Sequence, residues 1–136
     1  MRYMLDTNTL VYVLNARPHH QAVIERFRQE NAYDMVSSSV TLAELRYGIE
    51  KSARHASNRA ALRRLLGTLN VVPFDERAAE HYGTTRTRLE ATGAPIGPLD
   101  TMIAAHALCL GLILVTNNTR EFSRVQGLRV ENWIAG

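Results

Sequence analysis

A chain of 136 residues, 46% hydrophobic and 21% charged, can bury one core without disulfides or a structural metal, which makes residues 1–136 a single expected domain. The lone Cys109 excludes an intramolecular disulfide, and its place in "IAAHALCLGLILV" predicts a buried, inert, reduced thiol. A formal charge of +3, with fifteen arginines against the single Lys51, is compatible with a nucleic-acid partner and equally with an arginine-rich coding bias.

The N-terminus has no charged region, long apolar segment and small-residue cleavage site in succession, so no secretory signal is expected and the chain reads as cytosolic. A short strand over Tyr3–Leu5 leads into a helix over Thr7–Asn15, and Pro18 opens a second helix that runs to about Asn31. "DMVSS" reads as a strand, "SVTLAELRYGIEKSA" as a helix, and a further helix covers Ser57–Leu69. "NVVPF" is a third strand. "DERAAEHYGTTRTRLEATG" carries an Asp cap at Asp75 and a Gly stop at Gly93. After the loop "GAPIGP", a helix starts at Pro98 and stops at Gly111, followed by the fully apolar strand "LILV". The apolar stretch from Met102 to Val115 is interrupted by His106 and Gly111 and falls short of the roughly 20 residues of a membrane span. "LRVENW" adds a last short strand.

Apolar strands alternating with helices predict an α/β fold, a parallel sheet covered on both faces. Ligands in such sheets bind beyond the carboxyl ends of the strands, near a topological switch point. Asp6 stands at such an end, as do Ser37–Ser39 and Thr116, Asn117 and Asn118.

Three carboxylates attract attention, each with a plain structural alternative. Asp6 is a favoured helix N-cap. Thr41 and Glu44 have the spacing of a capping box. Asp100, in the first turn of its helix, gains from the helix dipole. Yet Glu44 shares a largely apolar face with Val40, Tyr47 and Gly48, and Asp100 heads a stripe of Ile103, Ala104 and Ala107. A parallel sheet brings all three to one rim, where they would repel each other unless a cation shared them. Oxygen-only ligands suit Mg²⁺ or Mn²⁺, whose chemistry is polarisation of a phosphoryl oxygen and activation of a water for in-line attack. Of the histidines, His19, His20 and His55 lie in polar surroundings, while His106 reads as a hydrogen-bonded, partly buried residue. Trp133 reads as core.

"MLDTNTLVYVL", "SSSVTLAELRYGIEK" and "GAPIGPLDTMIAAHALCLGLILVTNNTREFSRVQGLRVENW", over nearly the whole chain, resemble the PIN-domain ribonucleases and, more narrowly, the VapC toxins of bacterial toxin–antitoxin pairs. The resemblance implies a three-layer α/β/α sandwich with a mainly parallel sheet and a metal-dependent endoribonuclease. Asp6, Glu44 and Asp100 match the family's catalytic, metal-holding acids, with Thr116, Asn118 and Asn8 in support. "VTNNTREF" looks most like the enteric subgroup, which implies tRNA cut in the anticodon loop, translation arrest, a homodimer and a cognate antitoxin laid across the acidic rim. Arg86, Arg88, Arg120 and Arg124 are candidate RNA contacts, against the alternative of a solvated face. The departure from the family is Asn118, where many PIN domains carry Asp; an amide brings no charge and puts a second metal in doubt, with Glu121 available to supply charge instead.

Two other readings compete. "DTNT" resembles the D-x-D-x-T pattern of haloacid dehalogenase-like phosphatases, although Asn8 replaces the second Asp and Lys51 is the only lysine. A PIN-like RNA- or protein-binding module without catalysis is the non-enzymatic alternative.

Overall fold

A computed structural model describes residues 1–15 and 21–134. In chain order the elements are β1 (Tyr3–Leu5), α1 (Thr7–Asn15), α2 (Gln21–Gln29), a 3₁₀ turn (Ala32–Asp34), β2 (Met35–Ser38), α3 (Ser39–Lys51), α4 (His55–Leu66), β3 (Asn70–Val72), α5 (Glu76–Ala91), α6 (Pro98–Leu110), β4 (Ile113–Val115), α7 (Thr119–Phe122) and β5 (Val130–Glu131). The expected start of a helix at Pro18 lies outside the described residues.

The five strands form one sheet in the order β3-β2-β1-β4-β5, with every pair parallel. The chain leaves central β1 for β2 and β3 on one side, then crosses to β4 and β5 on the other. The switch point therefore falls between β1 and β4, where Tyr3, Met4 and Leu5 pair with Ile113, Leu114 and Val115.

Alternation along the strands divides the interior into two cores. Tyr3, Leu5, Met35, Ile113 and Val115 face Leu10, Val23, Phe27, Leu45, Ile49, Leu62 and Leu65 of α1 to α4. Met4, Val36 and Leu114 face Leu89, Ile103, Ala104, Ala107 and Phe122 of α5 to α7, with Val125 just beyond α7. The result is the expected three-layer α/β/α sandwich, and burying each of these large side chains contributes roughly 1.5–3 kcal/mol. Trp133 sits in the first core, edge-on to Tyr3 with ring centres 5.1 Å apart.

Several termini follow from their sequence signals. The Asp75 side chain accepts from the Ala78 amide at 3.1 Å, Pro98 begins α6, and Gly111 ends it in the left-handed conformation at φ 67°. Two expectations need correction. Helix α4 runs His55–Leu66 rather than Ser57–Leu69, because its N-cap, Arg54, makes no side-chain cap bond and so leaves no signal. Cys109 is half-buried rather than buried, near the α6 C-terminus where the helix leaves the core. No helix among the described residues is long and apolar enough to cross a membrane.

Candidate active site

Asp6 and Thr116 are the residues that follow paired Leu5 and Val115, so parallel register places them side by side at the sheet's carboxyl edge. Asp6 Oδ1 accepts from the Thr9 amide at 2.9 Å, which makes Asp6 the N-cap of α1. The capping alternative is therefore correct for Asp6, and it coexists with a role at the rim. The Asp6 amide donates to Val115 O at 3.0 Å and the Thr9 hydroxyl to the same oxygen at 3.1 Å, fixing the start of α1 against β4.

Glu44 is not part of a capping box. Helix α3 starts earlier, at Ser39, with the Ser38 hydroxyl accepting from the Val40 amide at 3.1 Å. This puts Glu44 in the second turn, half-buried, where the Thr7 hydroxyl donates to its Oε1 at 2.6 Å and also lies 3.3 Å from the Thr41 hydroxyl. Of its helical neighbours, Val40 is buried while Tyr47 and Gly48 are exposed, so only the N-terminal part of the expected apolar face is covered.

Asp100, half-buried in the first turn of α6, sits above the buried stripe of Ile103, Ala104 and Ala107. Burial pushes its carboxyl up to about 6, helped by the charges of Glu44, Asp6 and Glu121. Burial likewise raises Asp6, which also feels Glu44, against hydrogen bonds from Thr116 and Thr9 that favour its ionised form. Four carboxylates from four separate segments thus share one electrostatic neighbourhood.

Asn118 is tied to the acidic rim through Glu121. It is the N-cap residue of α7; its amide group donates to Glu121 Oε2 at 3.0 Å and its backbone N–H to the Thr116 hydroxyl at 3.0 Å. Glu121 is thereby oriented, and it is Glu121 that adds charge beside Asp100. Asn8 is exposed on the first turn of α1, and Asn117 donates to the Tyr12 hydroxyl at 3.0 Å. The expected arginines separate by partner. Arg86 is engaged by Glu90 at 3.3 Å and by the Tyr82 hydroxyl at 2.9 Å, whereas Arg88, Arg120 and Arg124 are exposed and form no ion pair among the described residues.

The hydrogen-bonded, partly buried histidine expected at 106 is fully buried. Its Nδ1 lies 2.9 Å from the Ser38 hydroxyl, and its ring stands edge-on to Phe74. It joins α6, which carries Asp100, to the cap of α3, which carries Glu44.

Chemically, the donor set fits a hard divalent cation: oxygen only, several carboxylates, and mutual repulsion that such an ion would relieve. The side chains do not close a cage, for no three His, Cys, Asp or Glu groups among the described residues stand together as a ready-made set of ligands.

The model of the PIN domain matches residues 3–128. The chain belongs to the PIN-domain family. Among its relatives it is 47% identical over 133 residues to a protein of Shigella flexneri named tRNA(fMet)-specific endonuclease VapC, and 44% identical to its namesake in Salmonella typhimurium. Each alignment covers 98% of both chains. The fold is similar to that of the VapBC complex of Salmonella typhimurium solved with bound DNA, at a TM-score of 0.90, 44% identity and 98% of each chain covered. Within the PIN family the chain is thus of the VapC kind, and the dehalogenase-like phosphatase reading falls with that membership.

Sequence reasoning missed Thr7 and Thr9. Thr7 left no local signal, because its partner Glu44 is 37 positions away. Thr9 was legible as the third residue after a capping Asp, but its bond to β4 was not.

Proposed function

We propose that this PIN-domain chain is the endoribonuclease toxin of a toxin–antitoxin pair, using Mg²⁺ or Mn²⁺ to cut tRNA in the anticodon loop and so arrest translation. The observation that carries the reading is the gathering of Asp6, Glu44, Asp100 and Glu121 at the switch point, where burial first, and then the charges of the other three, push Asp100 up to about 6. The names of the relatives from Shigella flexneri and Salmonella typhimurium support the tRNA substrate.

In this reading Asp6, Asp100 and Glu44 hold the ion, with Glu121 completing the negative field. A bound divalent ion supplies Lewis-acid polarisation of the phosphodiester and an activated water. The chain's own residues set the geometry. Thr7 holds Glu44 by its 2.6 Å bond, Thr9 and Thr116 hold Asp6, and Asn118 holds Glu121.

The solved VapBC complexes support an antitoxin partner. A groove of about 260 Å³, lined by Val11, Leu14, Leu45 and Ile49 of α1 and α3 together with Asn58 and Ala61 of α4, opens at Thr7 and Glu44 and suits a partner segment lying over the acids. We also propose the homodimer and the cytoplasmic location, by analogy with the family.

The test is to incubate the purified chain with total tRNA and Mg²⁺ or Mn²⁺ and map the fragment ends. The parent chain gives discrete anticodon-loop ends. Asp100→Asn gives none, while its circular dichroism and elution volume are unchanged. Equal cleavage by Asp100→Asn would refute the assignment. The amide at position 118 favours one second reading, a binding module without catalysis, for which the parent chain itself would leave tRNA intact while still binding it.

A further inference from the structure

We propose that Arg88 and Arg124 form a docking cleft for a phosphodiester group of an RNA strand, beside the carboxylate cluster and separate from it. The two arginines, 36 positions apart, line one cleft of about 60 Å³ between α5 and the segment after α7, together with Thr85, Thr92 and Gln126. The cleft shares Thr85, Arg88 and Gln126 with a wider hollow of about 360 Å³ along α5, whose far end is marked by Glu80 and His81.

Three features suit an anion there. First, neither guanidinium is neutralised: among the described residues the ion pairs engage Arg26, Arg59 and Arg86, and it is Arg86 that occupies Glu90 on the same helix. Second, Arg124 is held in place, its Nη1 donating to Pro95 O at 3.2 Å, so that the rest of its fork can receive a ligand without first being ordered. Third, Gln126 brings a side-chain amide to the lining beside the two charges, while the Thr92 hydroxyl is already committed to Leu89 O at 3.1 Å.

The position of the cleft points to a polyanion. The Arg124 amide donates to Glu121 O at 3.1 Å, so the backbone that carries this arginine is one turn from the backbone that carries a carboxylate of the cluster. Pro95, its anchor, lies in the loop that leads into α6 and Asp100. A rim of four carboxylates repels an RNA backbone. A cationic cleft on the segment that follows Glu121 supplies the attraction that the rim does not, and it fixes where the strand leaves the site. Arg88 and Arg124 are positioning residues in this account, and their occupant rests on the ribonuclease reading.

The test uses the full chain carrying Asp100→Asn, with binding of a fluorescent single-stranded RNA followed by anisotropy from about 50 to 200 mM salt. Adding Arg88→Ala or Arg124→Ala should each reduce the slope of log K against log salt by roughly 0.7, and the pair by roughly 1.4. Arg59→Ala, whose guanidinium is already paired with Glu50 at 2.8 Å, should leave the slope unchanged. The cleft is refuted if the double variant keeps the parent slope and affinity, if Arg59→Ala causes the same loss, or if the RNA does not bind. Cleavage by the otherwise unaltered chain reports separately on the ribonuclease reading, so the two can fail independently.

Discussion

Thr7 follows Asp6 directly, yet its hydroxyl serves a different carboxylate, that of Glu44 at 2.6 Å. A hydrogen bond to a charged group is worth about 1.5–3 kcal/mol, enough to hold one rotamer against the repulsion of Asp6 and Asp100. Thr7→Val, which keeps the shape and removes the donor, should lower the tRNA cleavage rate on the order of ten-fold or more, and Thr7→Ser should restore most of it. Equal rates for Val and Ser would deny Thr7 that role. Asp100 gives a second prediction with a definite sign. Its carboxyl is pushed up to about 6 from an ordinary value of 3.8, so the folded chain binds a proton more readily than the unfolded one. Stability from this group is therefore fully present below about 4 and is lost as pH rises through 6. At pH 7.5 without divalent ions, Asp100→Asn should melt a few degrees above the parent, and the gap should close by pH 4. A variant that melts lower at pH 7.5 would contradict the crowding of charges.

At the scale of elements, His106 ties α6 to the cap of α3 through Ser38. Burial lowers its pKa, against a smaller opposing effect of Asp75, so the folded state holds it neutral while the unfolded chain takes up a proton near 6.5. Its contribution is complete above 6.5 and declines as pH falls below that value, opposite in sense to Asp100. The melting temperature of His106→Gln should consequently change less than the parent's between pH 7 and 5; an identical pH profile would remove His106 from the account. The elements also show what sequence could and could not deliver. β1 and β4 were legible because they are buried on both faces and read as unbroken apolar runs, and α5 and α6 because Asp75, Pro98 and Gly111 act locally. The start of α4 was not, since Arg54 makes no cap bond, and the capping-box spacing of Thr41 and Glu44 misled because Ser38 caps α3 two residues after β2's core pair Met35 and Val36. Thr7 with Glu44, and Asn118 with Glu121 beside Asp100, are products of tertiary placement that no local pattern encodes.

For the molecule as a whole, the strand order places the switch point between β1 and β4, and everything chemical collects above it. Asp6 leaves β1, Thr116 leaves β4, and α3, α6 and α7 begin near that edge with Glu44, Asp100 and Glu121 within their first two turns. The net charge of +3 then divides between this acidic centre and cationic surroundings, in which the unpaired Arg88 and Arg124 line one cleft. The proposed chemistry requires the acidic centre to bind a divalent ion. Titration of the purified chain with Mn²⁺, with free ion read by electron paramagnetic resonance, tests this most directly. Saturable uptake is expected at pH 7.5, weakening as pH falls through about 6 and largely abolished in Asp6→Asn and Asp100→Asn. Uptake by both variants equal to the parent's, or no saturable uptake by the parent chain, would contradict it.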